Sequence, residues 1–316
     1  MSNAPTKNEE PFDPTTVPVK PAATVLLVRD AVAGGIEVFM LRRTFSAAFA
    51  SGMFVFPGGK VDDVDGIEEI AEICDGLTDA HASSLLGLAN GGLAYWVACI
   101  RECFEEAGVL LARHEDTGDV VSFDSPEVEA RFNHERHNIH DGSVALLDLC
   151  VAEGLRLTTD DIHYVSHWIT PMGEKRRFDT RFFIARAPSA QEPLHDDGET
   201  IESFWISPQE AMRRAHDKDL MLMPPTRVNI EFLLPHATTD EVMAAAAKVG
   251  TPQTILPKIK TDSDGRVVGI AMPGDSDTTY CDHDVFVACR TTGHVFHFGS
   301  ISNDACSNCS KDSCCF

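Results

Sequence analysis

The sequence predicts an α+β fold, a mixed β-sheet held between helices, and three observations carry that prediction. Two β-rich runs, residues 22–29 and 36–43, flank Ala33-Gly34-Gly35 and read as a hairpin. An apolar stripe of Leu93, Trp96, Val97, Ile100 and Phe104 recurs at helical spacing until Gly108 stops it. Further strand-like runs follow at 163–169, 181–185 and 203–206, and Ser207-Pro208 then opens another helix as N-cap and first helical residue. Strands before and after an embedded helix, with a second helix behind them, bury both sheet faces only if helices lie on either side.

Taken in order, residues 1–20 are polar and Pro-rich, with no Arg-rich amphipathic character and no long apolar run. They read as a disordered leader rather than a targeting peptide. A single domain is expected over 21–250. Met53 to Phe56 continues as a short strand into Pro57-Gly58-Gly59, where glycine permits a sharp turn and a close backbone approach. An insertion over about 66–92 carries helical patches at 67–74 and 80–89, closed by Asn90-Gly91-Gly92, so the Leu93 helix starts inside it. Helices are predicted at 126–137 and 143–153, separated by Asp141-Gly142. His134, His137 and His140 recur on the first of these without acidic or thiol partners at ligand spacing, and read as a polar helix face rather than a metal stripe. Met223-Pro224-Pro225 precedes an apolar helix, 228–234.

Residues 251–316 form a predicted β-rich appendage, with strand-like runs at 267–272, 284–288 and 294–298 and a Cys-rich tail. Cys306, Cys309, Cys314 and Cys315 supply half of a zinc pattern that His283, His294 or His297 would complete. Redox-active thiols and a loosely ordered tail are the other readings. Cys74, Cys99, Cys103 and Cys150 sit in apolar contexts and read as small buried hydrophobes, which fits a reducing, cytoplasmic setting.

Composition bounds the function. With 43% apolar and 24% charged residues the chain has ordinary globular character, but its formal net charge is −23. Such a balance argues against non-specific binding to nucleic acid or to an anionic membrane, both of which need a basic footprint. No run is long and apolar enough to span a membrane.

Chemistry concentrates in Arg101-Glu102-Cys103-Phe104-Glu105-Glu106-Ala107-Gly108-Val109. In a helix Glu102, Glu105 and Glu106 share one face within a turn, and their mutual repulsion is relieved by a cation between them. Carboxylate oxygens without thiolate or imidazole suit a hard ion, Mg²⁺ or Mn²⁺. A solvated acidic face is the alternative, and Arg101, the buried side formed by Cys103 and Phe104, and the upstream Gly-Gly turn argue against it.

Those residues resemble the second half of the Nudix box, and Gly59 followed by Asp65 resembles its first half, with Asp in place of the usual Glu. Residues 66–100 stand where the box normally has a seven-residue spacer. With Phe56-Pro57-Gly58-Gly59 ahead of it, the split box is similar to that of the peroxisomal coenzyme A diphosphatases and their bacterial relatives. The resemblance implies a Nudix-type α/β/α sandwich, hydrolysis of a phosphoanhydride, and a small nucleotide-type substrate. It implies that Gly59 offers a backbone carbonyl to the metal beside Glu102, Glu105 and Glu106, and that Arg101 orients the carboxylates. A further carboxylate is expected from the loop at 195–202, with Glu199 and Glu202 as candidates.

Arg42, Arg43, Lys60, Arg176, Arg177 and Arg181 are the expected phosphate contacts, because Arg suits bidentate recognition in so acidic a chain. The coenzyme A motif upstream of the box is met at Arg43, Gly52 and 56–59, while Ala48 replaces its second Arg. Three functions follow: hydrolysis of coenzyme A, acyl-coenzyme A or a similar nucleoside diphosphate derivative, hydrolysis of ADP-ribose or another nucleotide, or ligand sensing without turnover. The intact glutamate set argues against the last.

Overall fold

The computed structural model describes residues 13, 15–45, 47, 50–196, 198–264 and 266–273, and the backbone of 285–289 and 294–298. The predicted hairpin forms as β1 (Val19–Asp30) and β2 (Ile36–Arg43), so regular structure begins within the segment expected as leader. The short strands β3 (Phe54–Val55) and β4 (Gly58–Lys60) follow. The insertion folds as α1 (Glu68–Glu72) and α2 (Asp79–Leu86), and the box helix α3 runs Leu93–Ala107. After β5 (Ala112–His114) come α4 (Pro126–His140), α5 (Leu146–Glu153), β6 (Leu155–Leu157), β7 (Ile162–Ile169) and β8 (Arg177–Arg186). The chain continues through β9 (Thr200–Ile206), α6 (Pro208–His216), α7 (Pro224–Leu233) and α8 (Thr239–Ala246). It ends in β10 (Thr254–Ile255), β11 (Lys258–Thr261), β12 (Val267–Ala271), β13 (Val285–Cys289) and β14 (His294–Phe298).

Among the described residues one mixed sheet has the order β10-β7-β8-β1-β2-β3, with β4 on β1 and β9 on β2. β1 is parallel to β8 and antiparallel to β2 and β4. Period-two alternation divides the sheet's side chains between two cores. Ala23, Val25, Leu27, Phe39, Leu41 and Phe183 face α3, whereas Leu26, Val28, Val38, Met40 and Ile184 face α6, α7 and α8. The predicted sandwich is therefore present, with α3 fully inside one layer: every residue on it except Glu102 is buried.

Three expectations change in detail. β8 begins at Arg177 rather than 181, because it pairs with β1 from Val19 onward. β9 takes in Thr200, Ile201 and Glu202, which had read as loop, since they pair with Arg42 and Arg43 of β2. Beyond residue 250 the expected small strands are present, β11 paired with β12 and β13 with β14, and the described residues also reach the sandwich. β10 adds a parallel strand to β7, and Ala271 and Met272 are buried, Met272 in the core beneath α7.

Candidate active site

The site is built where α3 crosses β4. Arg101 is buried on α3, and its guanidinium meets five oxygens. Its Nε and Nη2 donate to the two carboxylate oxygens of Asp65 (2.8 and 2.9 Å), and Nη2 also donates to the Lys60 carbonyl (2.9 Å). Its Nη1 donates to Glu102 and to Glu105, each at 2.9 Å. One planar fork thus ties the loop after β4 to the helix and sets the spacing of two carboxylates, a task suited to its rigid donor geometry. Asp65 is 2% exposed, and burial holds its carboxyl above the ordinary range even with Arg101 opposing that shift.

The Gly-Gly turn is required by proximity. A side-chain carbon at Gly59 would stand 2.4 Å from the Glu102 carboxylate, so only glycine lets β4 and the helix approach so closely. The amide of Gly58 donates to Glu106 Oε2 at 2.8 Å. The helix then stops at Gly108, whose left-handed φ of +68° brings its amide back to the Phe104 carbonyl (2.9 Å).

Glu106 also lies 3.9 Å from Arg43, and Arg43 in turn lies 3.4 Å from Glu199. Six carboxylates, Asp62, Asp65, Glu102, Glu105, Glu106 and Glu199, therefore share two guanidiniums, Arg43 and Arg101. That surplus has a consequence for protonation. Burial, with Glu105 nearby, pushes the Glu102 carboxyl up to about 7 despite Arg101, and burial with Glu102 alongside pushes Glu106 well above the carboxylate range.

A family model described as the NUDT19 Nudix domain matches residues 87–233, which include this helix. The acyl-coenzyme A diphosphatase NUDT19 of Xenopus laevis is 26% identical over 236 residues, covering 65% of this chain and 62% of that protein. The human protein of the same description is 28% identical over 278 residues, 77% of this chain and 72% of that protein. A solved NUDIX hydrolase from Alicyclobacillus acidocaldarius is 25% identical, covers 72% of this chain and 97% of that one, and superposes with a TM-score of 0.60. The chain is thus similar to Nudix hydrolases in its box region and in its fold. Its matches span about three fifths of the frog and chicken NUDT19 proteins.

Nudix hydrolases generally use divalent metals. The Nudix box here fits one by the chemistry of its donors, hard oxygens carrying more negative charge than Arg43 and Arg101 neutralise. Among the described residues no three acidic, imidazole or thiol groups already stand at ligating positions around one point, and Arg101 spans Glu102 and Glu105.

The expected phosphate contacts are dispersed around the Nudix box. Arg43 is at the site, between Glu106 and Glu199. Arg42 points to the opposite sheet face, where it pairs with Glu202 (3.1 Å) and lies over the rings of Phe45 and Phe54, so Glu202 is not with the box carboxylates. Lys60 and Arg176 are exposed. Arg177 is buried, with Nε donating to the Thr170 carbonyl, and Arg181 is buried against Asp179 beneath the Tyr95 ring. Arg181 does share a row with the site, through the register Gly59, Ala23, Arg181 across β4, β1 and β8.

Of the histidine stripe, His140 comes within 3.5 Å of Glu105, while His137 bonds the Asn133 carbonyl of its own helix. The zinc reading falls on Cys306, Cys309, Cys314 and Cys315, which lie outside the described residues.

Sequence reasoning missed the supports behind the box. Asp79 of α2 accepts from the amides of Gly91 and Leu93 (3.0 Å each), and Ser83 from Gly92 (2.9 Å), so the insertion caps the amino end of α3. Arg136 of α4 and the buried Gln191 brace the other end. Gln191 exchanges bonds with both backbone groups of Leu110 and donates to Val121. Asp79 ahead of Asn90-Gly91-Gly92 was a readable capping signal, whereas nothing local marks Arg136 or Gln191.

Proposed function

We propose that the chain hydrolyses the pyrophosphate bridge of coenzyme A or an acyl-coenzyme A, using Mg²⁺ or Mn²⁺ held by Glu102, Glu105, Glu106 and the Gly59 carbonyl. The observation that carries this reading is the buried carboxylate surplus that Arg101 organises over the Gly58-Gly59 turn. The description of the relatives as acyl-coenzyme A diphosphatases supports the choice of substrate class.

When bound, the ion supplies charge neutralisation at the phosphoryl oxygens and lowers the pKa of water. The chain's own residues do the rest. Arg101 fixes Glu102 and Glu105 and does not touch substrate, since its donors are all engaged within the box. Glu106 is seated by the Gly58 amide, and Glu199 stands across Arg43 as the added carboxylate. One box carboxylate takes the proton of the attacking water. Water adds across the P–O–P bridge of coenzyme A, leaving 3′,5′-ADP and 4′-phosphopantetheine. The deciding experiment is hydrolysis of coenzyme A, acetyl-coenzyme A and ADP-ribose with Mg²⁺ or Mn²⁺, with products resolved by mass. Coenzyme A compounds are expected to turn over fastest.

ADP-ribose or another nucleotide as preferred substrate is the second reading, favoured by Ala48 standing where the coenzyme A motif has Arg. ADP-ribose outpacing both coenzyme A compounds would establish it.

A further inference from the structure

The carboxyl end of α3 carries carbonyls that no intrahelical amide reaches. Two of them, on Glu105 and Ala107, are met from outside. Arg136 Nε donates to the Glu105 carbonyl at 2.8 Å, and the Leu194 amide donates to the Ala107 carbonyl at 3.0 Å. Arg136 closes the circuit, because its Nη2 donates to the carbonyl of that same Leu194 at 3.1 Å. Its guanidinium also fills the space over Gly108, with Nη1 3.0 Å from where a side-chain carbon would begin.

Leu194 lies five residues before Glu199, and His195 and Asp196, which follow it, are both bonded. His195 bonds Ser203 through its amide and Nδ1 (3.3 and 2.9 Å). Asp196 accepts from the amides of Glu199 and Thr200 (3.0 and 2.9 Å) and from the Thr200 hydroxyl (2.7 Å). Glu199 itself is half-exposed, so core packing does not fix it. Its position relative to Glu105 and Glu106 is set by this run of bonds, which starts at a buried arginine, 6% exposed, on a third element.

We infer that Arg136 is a positioning residue that locks the segment bearing Glu199 to the last turn of the Nudix box helix, so that the carboxylates of both present themselves to one divalent ion. The inference rests on the hydrolase reading for its effect on turnover, but its effect on metal binding stands apart from any substrate. A purely structural arginine would lower stability without making its effect depend on Glu199.

The test is a double-mutant cycle on the full chain, using Arg136→Gln, Glu199→Gln and both together, each checked by thermal melt. Mn²⁺ affinity is read by electron paramagnetic resonance, and kcat/KM on coenzyme A in parallel. Each single variant is expected to weaken Mn²⁺ binding about tenfold, the usual scale for groups that orient metal ligands. The double variant is expected within about threefold of the weaker single, because both changes remove the same placed carboxylate. Losses that multiply to about a hundredfold overturn the inference, as does unchanged Mn²⁺ affinity in Glu199→Gln. Should Arg136→Gln fail to fold, Arg136→Lys, which keeps the charge and loses the planar fork, takes its place in the cycle. If the wild type binds Mn²⁺ and hydrolyses no diphosphate, the hydrolase reading fails while the cycle still decides the role of Arg136. Absence of Mn²⁺ binding by the wild type overturns both.

Discussion

At the scale of single residues, the box is a cluster of carboxylates held apart from water at some cost. Glu102, raised to about 7, and Glu106, raised well above the ordinary range, bind protons more tightly in the folded than in the unfolded chain. The sign follows by linkage. Their contribution to stability is fully present below an unfolded carboxylate pKa of about 4.3 and is lost as pH rises through each raised value, about 7 for Glu102. For Glu102 alone the loss is on the order of 3 kcal/mol, at about 1.4 kcal/mol per pKa unit. Metal-free protein is thus expected to melt at progressively lower temperature from about pH 5 to pH 8. Mg²⁺ or Mn²⁺ should reverse the trend at the upper end, since ions bind the deprotonated form. A melting temperature that rises over this range without metal contradicts the assignment. Glu106→Gln removes the buried charge and keeps its shape. That variant is expected to raise the metal-free melting temperature at pH 8 while lowering turnover by orders of magnitude, measured on the same preparation. Asp65→Ala should act oppositely. It strips Arg101 of a bidentate partner and leaves two buried donor bonds unmade, at about 1–3 kcal/mol for each, read by denaturant titration.

At the scale of elements, the insertion works as a cap for the box helix. Asp79 and Ser83 occupy the orphan amides of Gly91, Gly92 and Leu93, while the carboxylates proposed to hold the metal, Glu102 to Glu106, sit roughly two and a half to three and a half turns away. Asp79→Ala is expected to cost about 1–2 kcal/mol in denaturant titrations, with kcat per folded molecule within about twofold of wild type. A large kcat loss in folded protein would show that the insertion does more than cap. This division explains what was legible beforehand. The box helix, its Gly108 stop, the Gly-Gly turn and the hairpin all rest on local spacing, and all were readable. Glu199 and Glu202 could not be told apart by composition, because what separates them is the pairing of β9 on β2. That register sends Glu202 to Arg42 on one sheet face, while Glu199, just before the strand, meets Arg43 on the other. Arg177 and Arg181, expected as phosphate contacts, are buried for a reason of the same kind: β8 pairs with β1 along its length and, at Arg181, with β7 as well. Arg136 and Gln191 act across the chain on partners remote in sequence, and no local pattern announces such contacts.

At the scale of the whole molecule, a chain of net charge −23 that takes an anionic substrate must gather its cations at the site. Arg42 and Arg43 are engaged by carboxylates and Arg177 is buried, which leaves the exposed Lys175 and Arg176 as the expected partners for the 3′-phosphate of coenzyme A. Dephospho-coenzyme A is therefore expected to show kcat/KM lower than coenzyme A by roughly tenfold, a charge-assisted contact being worth about 1.5–3 kcal/mol. Equal values would remove the case for 3′-phosphate recognition. The central claim is that the Arg101-organised carboxylates hold a divalent ion that cuts the coenzyme A pyrophosphate. Its most direct test is the release of 3′,5′-ADP from coenzyme A, followed by mass, for wild type and Glu105→Gln across a Mg²⁺ and Mn²⁺ titration. The expected result is metal-dependent release by the wild type and a rate lower by orders of magnitude in a folded Glu105→Gln protein at saturating metal. Near-normal release by that variant, or wild-type release that is indifferent to metal, would contradict the account.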